Sequence, residues 1–276
     1  MKKFKVGVQL YSVRDDLAKD FEGTLQAIKD MGYDYVEFAG FYDKSAEEVK
    51  SALDKIGLTA ISVHQGNQLF LEQGQAAIDY LKTVGVKYCA IPWHDKSKLA
   101  GTDAWENTKK EFADYSKALK AAGIKLLYHN HDFEFEKADG KYKIDYIYDE
   151  IGLDTIEPEF DTCWVKYAGE DPCKYIEKYS GHVEVLHLKD FVCKNHGGAV
   201  YALIDKDGKE QKPSSMEENG FKFMPVGSGV QDFKSILEAA EKAGTEYIIV
   251  EQDASEDRPP MEAVKMSRDY LRTLGQ

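Results

Sequence analysis

The chain has 276 residues, 43% of them hydrophobic, and a formal charge of -13 from 36 Lys and Arg against 49 Asp and Glu. That composition supplies one sizeable core and excludes a disordered chain, and the acidic balance argues against nucleic acid, whose binders cluster Lys and Arg against the phosphates. Cys89, Cys163, Cys173 and Cys193 form no C-x-x-C pair, which excludes a zinc knuckle or redox dithiol and suits a reducing compartment.

The start, "MKKFKVGVQLY", is apolar over too few residues for a secretory leader, and no later stretch approaches the ~20 apolar residues of a membrane span. A cytoplasmic protein without a membrane partner is expected. "FKVGVQLY" reads as a first strand ending in Gln9 and Tyr11, followed by the amphipathic "FEGTLQAIKDM". A glycine then closes a helical pattern and a short β-type run begins, and this happens seven times, at Gly32, Gly57, Gly85, Gly123, Gly152, Gly181 and Gly244. Glycine suits the left-handed position past a helix end because it has no Cβ to clash there. The runs that follow are "YDYVEF", "LTAISVH", "VKYCAIP", "IKLLYH", "LDTIEPEFD", "HVEVLHLKD" and "TEYIIVEQD", separated by amphipathic segments such as "SAEEVKSALDKI", "WENTKKEFADYSKALKAA" and "DFKSILEAAEKA".

Eight strands alternating with helices predict an α/β chain folded as a (β/α)8 TIM barrel, one domain over 1–276, since closure satisfies every strand edge. An open doubly wound sheet is the competing architecture. The longest excursion, at about 192–226, follows strand seven and carries the turn signal "DKDG". It reads as an active-site loop or small hairpin, or as surface decoration. "VGSGVQDF" after it is a weak phosphate-loop candidate and reads better as a helix start.

Catalytic groups in such a barrel come from the C-terminal ends of strands. Those ends carry Gln9 and Tyr11, Glu37, His64, Trp93 and His94, His129 and His131 with Glu134 beyond, Glu159 and Asp161, His187 and Lys189, and Glu251 and Asp253. Strand alternation places Glu157, Glu159 and Asp161 on one face, His187 and Lys189 on one face, and Glu251 and Asp253 on one face. A lone buried histidine is more often a hydrogen-bonded core residue than a ligand. Here carboxylates converge beside imidazole, and desolvating them together needs protons, a positive side chain or a metal. Oxygen and nitrogen ligands without thiolate suit Mn²⁺, Mg²⁺ or Co²⁺, with Zn²⁺ a further candidate.

At these residues the chain resembles the sugar phosphate isomerase/epimerase group of xylose isomerase-like barrels, which includes inosose dehydratases, ketose 3-epimerases and 3-keto-sugar lyases or hydratases. The likeness rests on "GVQLYSVRDD", "YHNHDFEF", "EFDTCWVKYAGEDP", "VLHLKDF", "PVGSGVQDF" and "YIIVEQD", in order along nearly the whole chain. It implies one divalent metal held by Asp161, His187 and Glu251. Several members add a glutamate from inside strand five, where this chain has Leu127, so Glu134 is the expected fourth ligand, with Glu159 and His131 competing. The chemistry implied is proton abstraction next to a carbonyl through a metal-stabilised enediolate, as isomerase, epimerase or dehydratase (lyase), on a sugar, keto-sugar or cyclitol. His129, His131, Glu159 and Lys189 are the acid and base candidates, the histidines first because they titrate near neutrality. For Lys189 a salt bridge to Asp190 or Glu159 is the plainer role. Gln9, Tyr11, Glu37, His64, Trp93 and Trp164 are expected to line the substrate, the indoles against a sugar face or in the core. An endonuclease-type phosphodiesterase on this fold, and a non-catalytic sugar-binding barrel, are the alternatives. Barrels of this kind are commonly homo-oligomers, and nothing in the sequence fixes a number.

Overall fold

A computed structural model describes residues 2–194 and 220–276 of the chain. In it the seven predicted closing glycines all have positive φ, between 79° and 93°. A Cβ would be strained in that conformation, so these glycines set where each helix or turn stops and the next strand begins.

The eight strands are β1 (Lys5–Gln9), β2 (Tyr35–Phe38), β3 (Thr59–His64), β4 (Tyr88–Ile91), β5 (Lys125–His129), β6 (Glu157–Asp161), β7 (Val185–Leu188) and β8 (Tyr247–Val250). All pair in parallel with their sequence neighbours, and β8 pairs with β1, so the barrel is closed and the open-sheet alternative falls. The predicted helices form as read, among them Phe21–Asp30, Ala46–Ile56, Trp105–Ala121 and Phe233–Ala243.

Alternation along the strands divides the core in two. Outward side chains such as Val8, Val36, Leu126, Tyr128, Phe160 and Leu186 pack beneath the helices. Inward ones, Tyr88, Ala90, Leu127, Val185, Tyr247 and Ile249, fill the barrel itself. Leu127 thus belongs to an apolar layer, one residue pair below the polar mouth. Beneath that layer Lys125 pairs with Glu157 at 2.9 Å and Glu184 at 2.8 Å.

After β7 the excursion opens as a hairpin stem, Asp190–Val192 antiparallel to Lys222–Met224. The rest of the predicted loop, 195–219, lies outside the described residues. Asp190 secures the return: its carboxylate accepts from the amides of Phe191, Gly227, Gly229 and Gln231 at 2.8–3.2 Å. The amides of "VGSGV" are therefore already engaged, and the segment leads into a helix start capped by Asp232, as read from the sequence. Among the described residues no helix is long and apolar enough to cross a membrane.

Candidate metal centre and cavity

Strand register assembles the site. His129 on β5 lies beside Glu159 on β6, Asp161 beside His187 on β7, and His187 beside Ile249, two residues before Glu251. The period of two turns all of these polar side chains inward, above the apolar layer. Asn130, on the opposite parity from the two histidines, accepts from the Asp161 amide at 3.0 Å and fixes the end of β6.

The ligating atoms of His129, Asp161, His187 and Glu251 lie within 4.8 Å of one another, and all four residues are buried. His187 Nδ1 is 2.9 Å from Glu251 Oε2. His129 Nε2 is 3.8 Å from Asp161 Oδ2 and 3.9 Å from Glu251 Oε2. Asp161 divides its work: Oδ1 caps a helix through the amides of Cys163 and Trp164, while Oδ2 faces the cluster and Lys189.

Lys189 closes one side. Its Nζ is 3.1 Å from Asp161 Oδ2, 2.9 Å from Glu251 Oε2 and 2.9 Å from Asp253 Oδ1, with the rings of Trp164 and Phe223 on its flanks. Burial opposes its charge, but the three carboxylates prevail and hold its pKa well above the usual lysine value.

Beneath lies a second layer. His64 Nε2 is 2.8 Å from Glu159 Oε2 and 2.9 Å from Glu37 Oε1, and His187 Nε2 is 2.8 Å from that same Glu37 oxygen. A second group of potential ligands, His64, His129, Glu159 and His187, overlaps the first through its two shared histidines. Burial works against charge on His64, yet Glu37 and Glu159 raise its pKa to about 10. Burial likewise opposes, and Glu37 and Glu159 overcome, to hold His187 well above the usual value. Burial, then the neighbouring Glu37, pushes Glu159 up to about 7. Burial is the first cause that holds His129 and His131 well below the ordinary imidazole value, joined by His187 for the one and Lys189 for the other.

These residues fit a divalent cation. Two acceptors, the His187 Nδ1 lone pair and Glu251 Oε2, tolerate 2.9 Å only with a proton or a cation between them. Glu159 Oε1 is buried without a hydrogen-bond donor, and Asp161 Oδ2 and Glu251 Oε2 share the one ammonium of Lys189. The donor set is imidazole and carboxylate, suited to first-row divalent ions.

Above the cluster opens a cavity of about 190 Å³ lined by Tyr11, Ala39, His64, Pro92, Trp93, His129, His131, Lys189, Glu251 and Asp253. Of the residues expected at the substrate, Tyr11, His64 and Trp93 are on its wall, as are the acid and base candidates His129, His131 and Lys189. Gln9, Glu37 and Trp164 are not. All three are fully buried. Gln9 and Glu37 bond each other at 2.7 Å below the cavity, and Trp164 stacks on Phe221 behind Lys189. Glu159 also sits beneath the wall, under the histidines, rather than on it.

Glu134 does not reach the metal cluster. The Tyr128 hydroxyl donates to its Oε1 at 2.7 Å and the His131 amide to its Oε2 at 2.8 Å. Tyr128 points out of the barrel, so Glu134 folds back behind β5 instead of over the cavity. The fourth side chain of the cluster is His129, with the apolar Leu127 one layer below. Lys189 pairs with neither Asp190 nor Glu159, because Asp190 faces the turn it clamps and Glu159 faces the floor. Asp253, two residues past Glu251, holds Lys189, and the same strand parity points to it.

The family described as the xylose isomerase-like TIM barrel matches residues 25–274. An inosose dehydratase of Clostridium perfringens is 24% identical over 282 residues, covering 93% of this chain and 91% of that protein. Among solved structures, a sugar phosphate isomerase/epimerase from Parabacteroides distasonis superposes with a TM-score of 0.79 at 22% identity, covering 99% of this chain and 94% of the other. The IOLI protein, solved with a bound zinc atom, superposes with a TM-score of 0.70 at 14% identity, covering 98% and 97%. At these identities the structural likeness is one of fold.

Proposed function

The chain belongs to the xylose isomerase-like TIM barrel family, and from that premise we propose that it is a metal-dependent sugar isomerase, epimerase or dehydratase (lyase), acting on a sugar, keto-sugar or cyclitol by removing a proton next to a carbonyl. The observation that carries the reading is the cavity lined by His129 and Glu251 of the buried His129, Asp161, His187 and Glu251 cluster, with His131 and Lys189 on the same wall. The likeness to an inosose dehydratase and to a zinc-bound barrel supports it from outside the chain.

His129, Asp161, His187 and Glu251 would hold one divalent ion, with Mn²⁺, Mg²⁺, Co²⁺ and Zn²⁺ as candidates. Bound there, the ion would draw electron density from the substrate carbonyl and offset the charge that develops as the adjacent proton leaves. His131 faces the cavity and burial keeps its imidazole neutral, so a ring nitrogen can accept the substrate proton and return it. Lys189, held charged, presents an ammonium to a developing oxyanion, and Asp253 fixes where it points. The half-exposed Trp93 at the mouth offers an apolar face to the sugar ring. Whether the proton returns to the same carbon, to its neighbour, or a hydroxyl leaves, separates epimerase, isomerase and dehydratase.

The test is NMR of ketoses, 3-keto-glycosides and inososes incubated in D₂O with protein and Mn²⁺. Solvent deuterium at a carbon next to a carbonyl, with isomerised or eliminated product, is expected. Binding without any deuterium entry would leave only a sugar-binding barrel. A salt-sensitive gel shift with DNA would return the phosphodiesterase reading.

A further inference from the structure

Glu37 has four donor groups around its carboxylate, yet it touches none of the cavity's space. Its Oε2 accepts from the Ser62 hydroxyl, its partner across the β2–β3 register. Its Oε1 has three nitrogens at hand: Gln9 Nε2 at 2.7 Å, His187 Nε2 at 2.8 Å and His64 Nε2 at 2.9 Å. A carboxylate oxygen offers two lone pairs, so one of the three must look elsewhere. Gln9 is committed, because the Tyr11 amide donates to its Oε1 and turns its Nε2 toward Glu37. His64 has the alternative, Glu159 Oε2 at 2.8 Å. His187 Nε2 is left with Glu37 Oε1 at 2.8 Å as its nearest acceptor, an ion-pair contact whose angle falls short of a hydrogen bond, and the His64 ring beside it, 5.1 Å between centroids and 13° from parallel, restrains the imidazole plane.

We propose that Glu37 is a positioning residue that holds His187 with its proton on Nε2, so that the Nδ1 lone pair faces a cation bound between Asp161 and Glu251. This rests on the functional reading above in one respect, that a divalent ion binds there. A proton on Nε2 leaves Nδ1 as the only ligating atom of His187, and a full negative charge on its partner makes that nitrogen more basic. Gln9, Ser62 and Glu37 come from three successive strands, β1, β3 and β2, opposite β6 and β7 in the closed barrel. The device therefore ties the half of the barrel without metal ligands to the half that carries them.

Two measurements test it. The first is Co²⁺ titration of wild type and Glu37→Gln, reading the dissociation constant and the visible absorption of the bound ion. Glutamine keeps the shape: its carbonyl can still accept from His187 and its amide can face Ser62, but the charge is gone. Affinity is expected to fall about ten- to hundredfold, with an altered cobalt spectrum and an unchanged far-UV circular dichroism spectrum of the cation-free protein. An unchanged affinity and spectrum would overturn the proposal while leaving the metal reading intact. A wild-type protein that takes up no Co²⁺ would end both. The second needs no variant: ¹⁵N NMR of histidine-labelled wild type loaded with Zn²⁺. His187 is expected to show a protonated Nε2 and a metal-bound Nδ1. The reverse, Nε2 on the metal, would place the ion among His64, Glu37 and Glu159 and refute the role.

Discussion

His187 Nδ1 and Glu251 Oε2 stand 2.9 Å apart on adjacent strands, both buried, at the centre of a group of carboxylates balanced by few fixed cations. A proton or a divalent ion has to lie between them, and the two compete for one place.

Binding of a divalent ion is therefore expected to release protons. With the His187 pKa held well above the usual value in the cation-free protein, Nδ1 is protonated at neutral pH and the ion must displace that proton. Apparent affinity should rise about tenfold per pH unit for each proton released, across the range below that raised pKa. Calorimetric titration with Mn²⁺ in buffers of different ionisation enthalpy reads the number directly, and a binding heat independent of buffer would contradict the exchange.

Asp161→Asn should abolish divalent-ion uptake and turnover while leaving the fold intact. The amide oxygen can keep the helix cap on Cys163 and Trp164, whereas the charge facing Lys189 and Glu251 is lost. Asp161→Ala would remove the cap as well and should cost about 1 kcal/mol more in denaturant unfolding. Metal analysis of the purified Asn variant decides the matter, and near-stoichiometric metal would remove Asp161 from the ligand set.

Glu134 should govern stability through pH rather than through metal. Burial raises its pKa from 4.5 to about 8, so between those values the folded chain keeps a proton that the unfolded chain has lost. Unfolding free energy then falls as pH rises through that window, by about 1.4 kcal/mol per unit at most, and levels off above it. Glu134→Gln, whose amide can serve Tyr128 and whose carbonyl can serve the His131 amide, should flatten the slope and leave metal uptake unchanged. Loss of metal in this variant would restore Glu134 as a ligand.

Asp190→Ala should be among the more damaging changes outside the cavity. It strands the amides of Phe191, Gly227, Gly229 and Gln231, and a destabilisation of about 3 kcal/mol or more is expected in denaturant unfolding. Gly229→Ala should act in the same direction, because a Cβ there would meet Asp190 Oδ1 at 2.3 Å and the Phe191 carbonyl at 2.4 Å. A loss under 1 kcal/mol in both would mean the turn rearranges freely.

The sequence by itself determined the barrel, since seven closing glycines and eight short apolar runs are local signals that need no tertiary partner. It also determined which side chains of β6, β7 and β8 share a face, because strand parity is a property of the chain alone: that parity grouped Glu157, Glu159 and Asp161, His187 with Lys189, and Glu251 with Asp253, and the family resemblance singled out Asp161, His187 and Glu251 among them. Only the tertiary structure decided the rest. Glu134 lies three residues beyond His131, and whether it folds over the cavity or behind β5 depends on the Tyr128 hydroxyl, which strand alternation sends outward. Glu37 ends β2 as Glu251 follows β8, and nothing local distinguishes them. Their roles separate because Glu37 is enclosed by Gln9, Ser62, His64 and His187, while Glu251 borders open space. A carboxylate's function here is set by which donors surround it and whether solvent space reaches it, and both depend on strands that meet only when the barrel closes.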